Sequence, residues 1–285
     1  AANVTIAAGG EITMAEQTSA ATAPTAAASV YAYKQAGRVG VSARNPDERA
    51  YELQPFLGEK SISLWTAVAN SSNPTQMGFY TESNGSPTAR FPTSTNRFLA
   101  ARRLGYATGA TAGSRAGLNG ANMVLRGSGG TGGFRFVARF GVSARSTNCI
   151  GFVGFWGSEQ QMGATTNPSA NLNTFGVGWD ATQTTLRVMW NDGSGAATAT
   201  DLGASFPCNT TNADWYQLVL YSGPGASSLG YEVTNLSTGV RSTGTASTNI
   251  PAAATMLVPV VFISNNSNAT NCALDLEKMY IETDY

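Results

Sequence analysis

The sequence contains no histidine among its 285 residues. That excludes Ser-His-Asp and Cys-His nucleophile activation and every histidine-ligated metal site, so any catalysis would fall to carboxylates, tyrosine or lysine. Charge is also scarce: charged residues make up 12% of the chain, 17 basic against 17 acidic, for a formal net charge of zero. Phosphate backbones are held through a basic excess that releases counterions, so no nucleic-acid partner is expected, and Arg97, Arg102 and Arg103 read as a local surface or interface patch. Three cysteines, Cys149, Cys208 and Cys272, leave one over and make no disulfide framework. Cys149 and Cys272 lie in apolar strand-like runs, where a cysteine is a small buried hydrophobe. No run of 18 apolar residues is present, so no membrane insertion is expected. The opening AANVTIAAGG lacks the charged start and apolar core of a signal peptide.

Ala, Gly, Ser, Thr and Asn fill the gap, giving a surface solvated by hydroxyls and amides. N-x-S/T sequons such as those at Asn70, Asn209 and Asn268 follow from that composition. Residues 1–30 have little bulk to bury and read as an extended arm. Val30 and Ala32, then Val39 and Val41 across Gly37, read as a small hairpin.

From residue 119 onward a two-residue period dominates. FRFVARF puts Phe134, Phe136, Ala138 and Phe140 on one face and Arg135, Val137 and Arg139 on the other. CIGFVGFW is apolar on both faces, as a central strand requires. Phe175, Val177 and Trp179 share one phase; so do Leu186, Val188 and Trp190. In the last strand Leu274 and Leu276 keep one phase and Met279 and Ile281 the other, which a bulge at Glu277 or Lys278 reconciles. About ten short strands, without a helix of two turns, predict an all-β antiparallel sandwich over residues 46–285, preceded by an arm and short hairpin over residues 1–45.

GSGGTGG contains Gly127, Gly129 and Gly132 at the G-x-G-x-x-G spacing. The dinucleotide fingerprint works because a helix follows and points its N-terminus at the pyrophosphate. Here the alternating phenylalanines require a strand, so the glycines predict a flexible strand–strand connection and no nucleotide. No cofactor and no metal are expected. Asp180, Asn191 and Asp192 are oxygen donors near strand ends, but they lack the spacing of a calcium loop and suit turns.

The run VLRGSGGTGGFRFVARFGVS, with CIGFVGFWGS, NTFGVGWD, LRVMWNDGSGAATATDLG and LEKMYIETDY, resembles the C-terminal domain of tail fibre and related virion proteins of tailed bacteriophages. VYAYKQAGRVGV, YELQPFLG and RRLGYATGATAGSRAGLNG extend the resemblance back to residue 30. It implies a virion appendage, commonly a homotrimer, whose sandwich is of the lectin-like, jelly-roll type and meets a host-surface glycan or protein. Other phage tail or capsid proteins would then be contacted through residues 1–45, and assembly would take place in the host cytoplasm. A capsid head fibre or decoration protein is the alternative, and a glycan depolymerase a further one. The E-x-D-x-x-E strand signature of sandwich glycosidases is absent, leaving Asp275 and Glu277 as the nearest acid pair.

A sugar site calls for an aromatic face beside fixed polar groups. Trp156, at a strand end before GSEQQMGATTNPSAN, is the first glycan-binding candidate, and Trp190 with Asn191 and Asp192 the second. Arg135 and Arg139, opposite the phenylalanine face, are candidates for a subunit interface.

Overall fold

The computed structural model describes residues 16–17, 29–35, 38–44, 50–52, 61–67, 80–83, 87–94, 96–121 and 124–283, and divides the chain into two units, residues 1–58 and 59–285. The first unit is a four-stranded sheet of β1 (Glu16–Gln17), β2 (Ser29–Gln35), β3 (Arg38–Arg44) and β4 (Ala50–Glu52), in that order. The expected hairpin is β2 paired antiparallel with β3, from Ser29 opposite Arg44 to Gln35 opposite Arg38. β4 pairs antiparallel with β3, from Ser42 opposite Glu52 to Arg44 opposite Ala50.

The second unit is a sandwich of two sheets. One holds β5 (Ser61–Thr66), β7 (Thr88–Arg90), β8 (Arg103–Ala107), β10 (Phe134–Ala144), β15 (Tyr216–Ser222), β16 (Leu229–Asn235), β17 (Arg241–Ala246) and β19 (Ala273–Thr283). The other holds β6 (Tyr80–Ser83), β9 (Arg115–Asn119), β11 (Ile150–Trp156), β12 (Thr174–Trp179), β13 (Arg187–Asn191), β14 (Thr198–Asp201) and β18 (Val258–Ser264). All pairings within both sheets are antiparallel. Among the described residues helix is confined to single turns, α1 (Arg97–Ala100) and a 3₁₀ turn at Pro168–Ala170.

The alternating aromatics join the sheets. Phe134, Phe136 and Phe140 of β10 are buried, and the rings of Phe134 and Phe136 each lie 4.9 Å from Phe155 of β11. Arg135, Val137 and Arg139 occupy the half-buried outer face of the same strand. β11 is apolar on both sides because two clusters need it. Val153 and Phe155 enter the main core, while Ile150 and Phe152 pack outward with Val258, Val260, Phe262 and Met162.

The phase change in β19 is a bulge at Glu277. Arg139 of β10 pairs with Lys278 and the next residue, Phe140, with Leu276, so Glu277 is the extra residue. The two halves of β19 then serve different neighbours: Ala273–Leu276 pair with β8, and Lys278–Thr283 with β5. Leu274, Leu276, Met279 and Ile281 all reach the core as a result.

The glycine-rich stretch leads into β10 with no helix after it. Gly127, Gly129, Gly130, Gly132 and Gly133 all have positive φ, and a Cβ at Gly132 would lie 2.6 Å from Gly127 Cα. The connection is more closely held than the sequence suggests. Gly127 N–H donates to Ala253 O at 2.9 Å, Gly133 N–H to Leu125 O at 3.0 Å, and Gly225 N–H to Thr131 O at 2.9 Å.

Candidate functional site

Antiparallel strands put alternate connections at opposite ends of a sandwich. Trp156 ends β11 at one end, in register with Thr174 of β12, which pairs in turn with Asn191 of β13. Two candidates separated by more than thirty residues in sequence thus fall in one cross-strand row. Trp156 is half-buried against the outer apolar cluster. Asn191 is fully buried, its Nδ2 donating to Asn171 O at 3.0 Å and Gly195 O at 3.3 Å. Trp190 points to the opposite side, into the main core, where 8% of its surface is exposed. Its Nε1 donates to Thr248 O at 3.2 Å, and its ring stacks 6.4 Å from Tyr231. Asp192 closes the following turn by accepting from Ser194 N at 2.7 Å. These three residues hold strand and turn together.

The opposite end is built from three loops: 145–149 between β10 and β11, 180–186 between β12 and β13, and the segment around 207–209 before β15. They border an open cleft of about 370 Å³ lined by Arg145, Ser146, Thr147, Asn148, Ala181, Thr182, Gln183, Thr184 and Asn209. Each loop has a local reason for its shape. Asn148 adopts φ +61°, a left-handed turn that asparagine tolerates. Gln183 N–H donates to Asp180 O at 3.0 Å while its Oε1 accepts from Asp180 N at 3.2 Å, closing the second turn. Cys208 N–H donates to Thr184 O at 2.8 Å, tying the third segment to the second.

Arg145 forms the inner wall. Its NH1 group donates to Cys208 O and Cys208 Sγ, each at 2.7 Å, and NH2 donates to Gln183 O. The guanidinium carbon lies 5.7 Å from the Trp179 ring centre. One arginine therefore joins all three loops and rests on a core tryptophan. Thr147, Asn148, Thr182, Thr184 and Asn209 are exposed, and among the described residues their side chains have no protein partner. They offer hydroxyl and amide donors and acceptors at one mouth. The sequence reading missed this site; its available signal was the Thr/Asn/Gln content of ARSTN, DATQTT and PCNTT.

Behind the cleft all three cysteines are buried free thiols. Ser146 Oγ lies 3.0 Å from Cys272 Sγ. The hydrogen bond from Cys149, aided by Ser146, pulls the Cys272 thiol down, and the same bond with burial pushes Cys149 up. Burial also pushes Cys208 up, so it meets Arg145 as a neutral thiol.

The acids and arginines raised by the sequence are engaged elsewhere. Asp275 is fully buried, 2.7 Å from Arg103 Nε and 2.6 Å from Ser143 Oγ, with Arg90 at 3.6 Å. Glu277, on the bulge, accepts from Trp215 Nε1 at 2.9 Å and lies 3.6 Å from Arg139 NH1. Arg139 Nε also donates to Gln217 Oε1 at 2.9 Å. Arg135 stands half-buried between Tyr221 and Glu282 in the cross-strand register. Asp180 accepts from Ser169 N at 3.1 Å and Ser169 Oγ at 2.6 Å. Among the described residues no group of three His, Cys, Asp or Glu gathers as a metal-ligand set.

No family model and no curated protein sequence matches the chain. Solved structures do. Lectin II from Ulex europaeus aligns with 80% of this chain and 100% of its own, at 15% identity and a TM-score of 0.51. Peanut lectin aligns with 79% of this chain and 98% of its own, at 12% identity and 0.51. A protein of unknown function from Shewanella oneidensis MR-1 aligns with 81% and 90%, at 11% identity and 0.51. At these identities the likeness is one of fold: the C-terminal unit is a lectin-like β-sandwich.

Proposed function

We propose that this chain is a glycan-recognition protein of a bacteriophage virion appendage, a tail fibre subunit that binds host-surface saccharide through the loop cleft at the Arg145 end of its sandwich. The observation that carries the binding reading is the set of five exposed hydroxyl and amide side chains around the cleft, none with a protein partner among the described residues. Saccharides are bound by fixed polar groups that replace water around their hydroxyls, and short polar loops on a rigid sandwich supply them. The lectin-like fold supports the same reading, and the sequence resemblance to phage tail fibres supplies the virion setting.

The proposal is binding without turnover. Glycoside hydrolysis needs two carboxylates flanking the scissile bond, whereas Asp275 is buried in an ion pair and Glu277 is held by Trp215. Residues 1–45 would attach the subunit to other phage proteins. A homotrimer would present three clefts, and such multivalency raises avidity by about 10²–10⁴ over a single weak site. The mass of the full chain in solution tests this: three copies are expected, and a stable monomer at micromolar concentration contradicts the trimer.

The cleft is tested on an oligosaccharide array with the wild-type chain and a Thr182→Ala, Asn209→Ala double variant. Loss of two ligand hydrogen bonds is expected to weaken binding about tenfold or more, with the melting temperature unchanged because both side chains are exposed. Trp156→Ala is the comparison. If it abolishes binding with the fold intact while the double variant binds normally, the site lies at the Trp156 end instead.

A further inference from the structure

Among the described residues, Arg145 is the one charged side chain lining the cleft. Its acceptors are two backbone carbonyls and the Cys208 thiol, all neutral, and among the described residues no carboxylate lies within 4.0 Å of its guanidinium. Among the described residues, Arg103 and Arg90 share Asp275, Arg139 meets Glu277, Arg187 meets Asp201 and Arg241 meets Glu232, while Arg115 and Arg126, like Arg145, donate to backbone carbonyls but line no such cleft. Arg145 is half-buried, so part of its hydration is already lost, and a cation in that position gains most from an anion brought to it. The ionisable groups packed behind it are the Cys149, Cys208 and Cys272 thiols, all buried on the core side. Cys272, pulled down to about 6 by the hydrogen bond from Cys149 with Ser146 and Arg145 aiding, sets a partial negative charge behind the guanidinium, against which an anion at the mouth must compete.

Resting on the glycan reading above, we infer that the cleft takes an acidic saccharide, whose carboxylate, sulfate or phosphate group pairs with Arg145 while Thr147, Asn148, Thr182 and Asn209 meet the neutral hydroxyls of the ring. The guanidinium retains N–H groups beyond the three protein bonds, in the planar fork that suits an oxyanion. The volume of about 370 Å³ falls within the range of small-ligand sites. Because the chain has no net charge, selection for an acidic ligand would come from this one residue and not from a general field.

The test uses the full chain, paired oligosaccharides that differ only in an acidic group (uronate, sulfate or phosphate against the neutral parent), and inorganic sulfate as a minimal probe followed by backbone amide shifts. Arg145→Gln removes the cation but also three bonds between loops, so Thr184→Asp is the second variant. It sets a carboxylate on an exposed residue of the same cleft and neutralises Arg145 from within. The expected result is binding of at least one acidic saccharide tenfold or more tighter than its neutral parent, a preference that falls tenfold or more in Thr184→Asp and weakens with salt. Which of the three anions wins identifies the acidic group. Equal binding of acidic and neutral forms, or a preference unchanged in Thr184→Asp, overturns the inference and leaves the glycan reading standing. Sulfate shifts at the cleft that vanish in Thr184→Asp, with no saccharide bound, uphold an anion site and overturn the glycan reading. If neither saccharide nor sulfate binds, both fall.

Discussion

Trp179→Ala is expected to lower the stability of the sandwich by about 3–5 kcal/mol, the usual cost of removing a large aromatic from a packed core. Trp179 is completely buried, and its ring occupies the space where the Cβ of Gly151 would be if that residue were larger. No neighbour on β11 can grow or move cheaply to fill the void, since Gly151 sits mid-sheet between β12 and β18. The same ring supports the guanidinium of Arg145. Trp179→Ala is therefore expected to loosen the cleft as well, while Trp179→Phe retains part of both. Chemical denaturation followed through the remaining tryptophans measures the first effect. A change below about 1 kcal/mol would contradict the packing described for this residue.

Asp275→Ala is expected to cost a comparable amount, about 3–5 kcal/mol, for an electrostatic reason. Arg103 is 4% exposed and fully buried Asp275 faces it at 2.7 Å, so removing the acid strands a buried cation. Ser143 Oγ loses its acceptor in the same step. Replacing both members of the pair, Asp275→Leu with Arg103→Met, is expected to cost less than Asp275→Ala alone, because the buried cation goes with its acid and the released Arg90, 29% exposed, reaches water. Thermal unfolding of Asp275→Leu, Arg103→Met and the double variant decides the matter. A double variant whose loss equals the sum of the two single losses would show that the residues act independently. Turnover of host polysaccharide that Asp275→Asn abolishes without loss of fold would instead place this acid in catalysis.

The strands of the sandwich were legible because their residues alternate. Phe134, Phe136 and Phe140 announced a core face, and the change of phase between Leu276 and Met279 announced the bulge at Glu277, because a strand has only two sides and both leucines and both later residues need the inner one. The same rule distinguishes the two candidate tryptophans. Trp190 keeps the phase of Leu186 and Val188 and is a core residue, whereas Trp156 is out of phase with Val153 and Phe155 and lies on the outer side. The glycine-rich connection was legible in what it could not do, since a strand follows it.

The cleft was not legible, for a topological reason. Its walls come from residues 145–149, 180–186 and 207–209, which periodicity leaves as unremarkable turns. Only the strand order brings them to one end of the sandwich, and Arg145 then links them through backbone carbonyls that carry no sequence signature. The pairing of Arg103 with Asp275 spans 172 positions and two strands whose adjacency no local pattern encodes.

The most direct test of the glycan-binding cleft is a crystal structure of the full chain with the array oligosaccharide it binds most tightly. The account predicts a sugar ring between Asn148 and Thr182–Thr184, within hydrogen-bonding distance of Asn209 and Arg145. A ring seated on Trp156, or on any other surface with the cleft open to solvent, would contradict it.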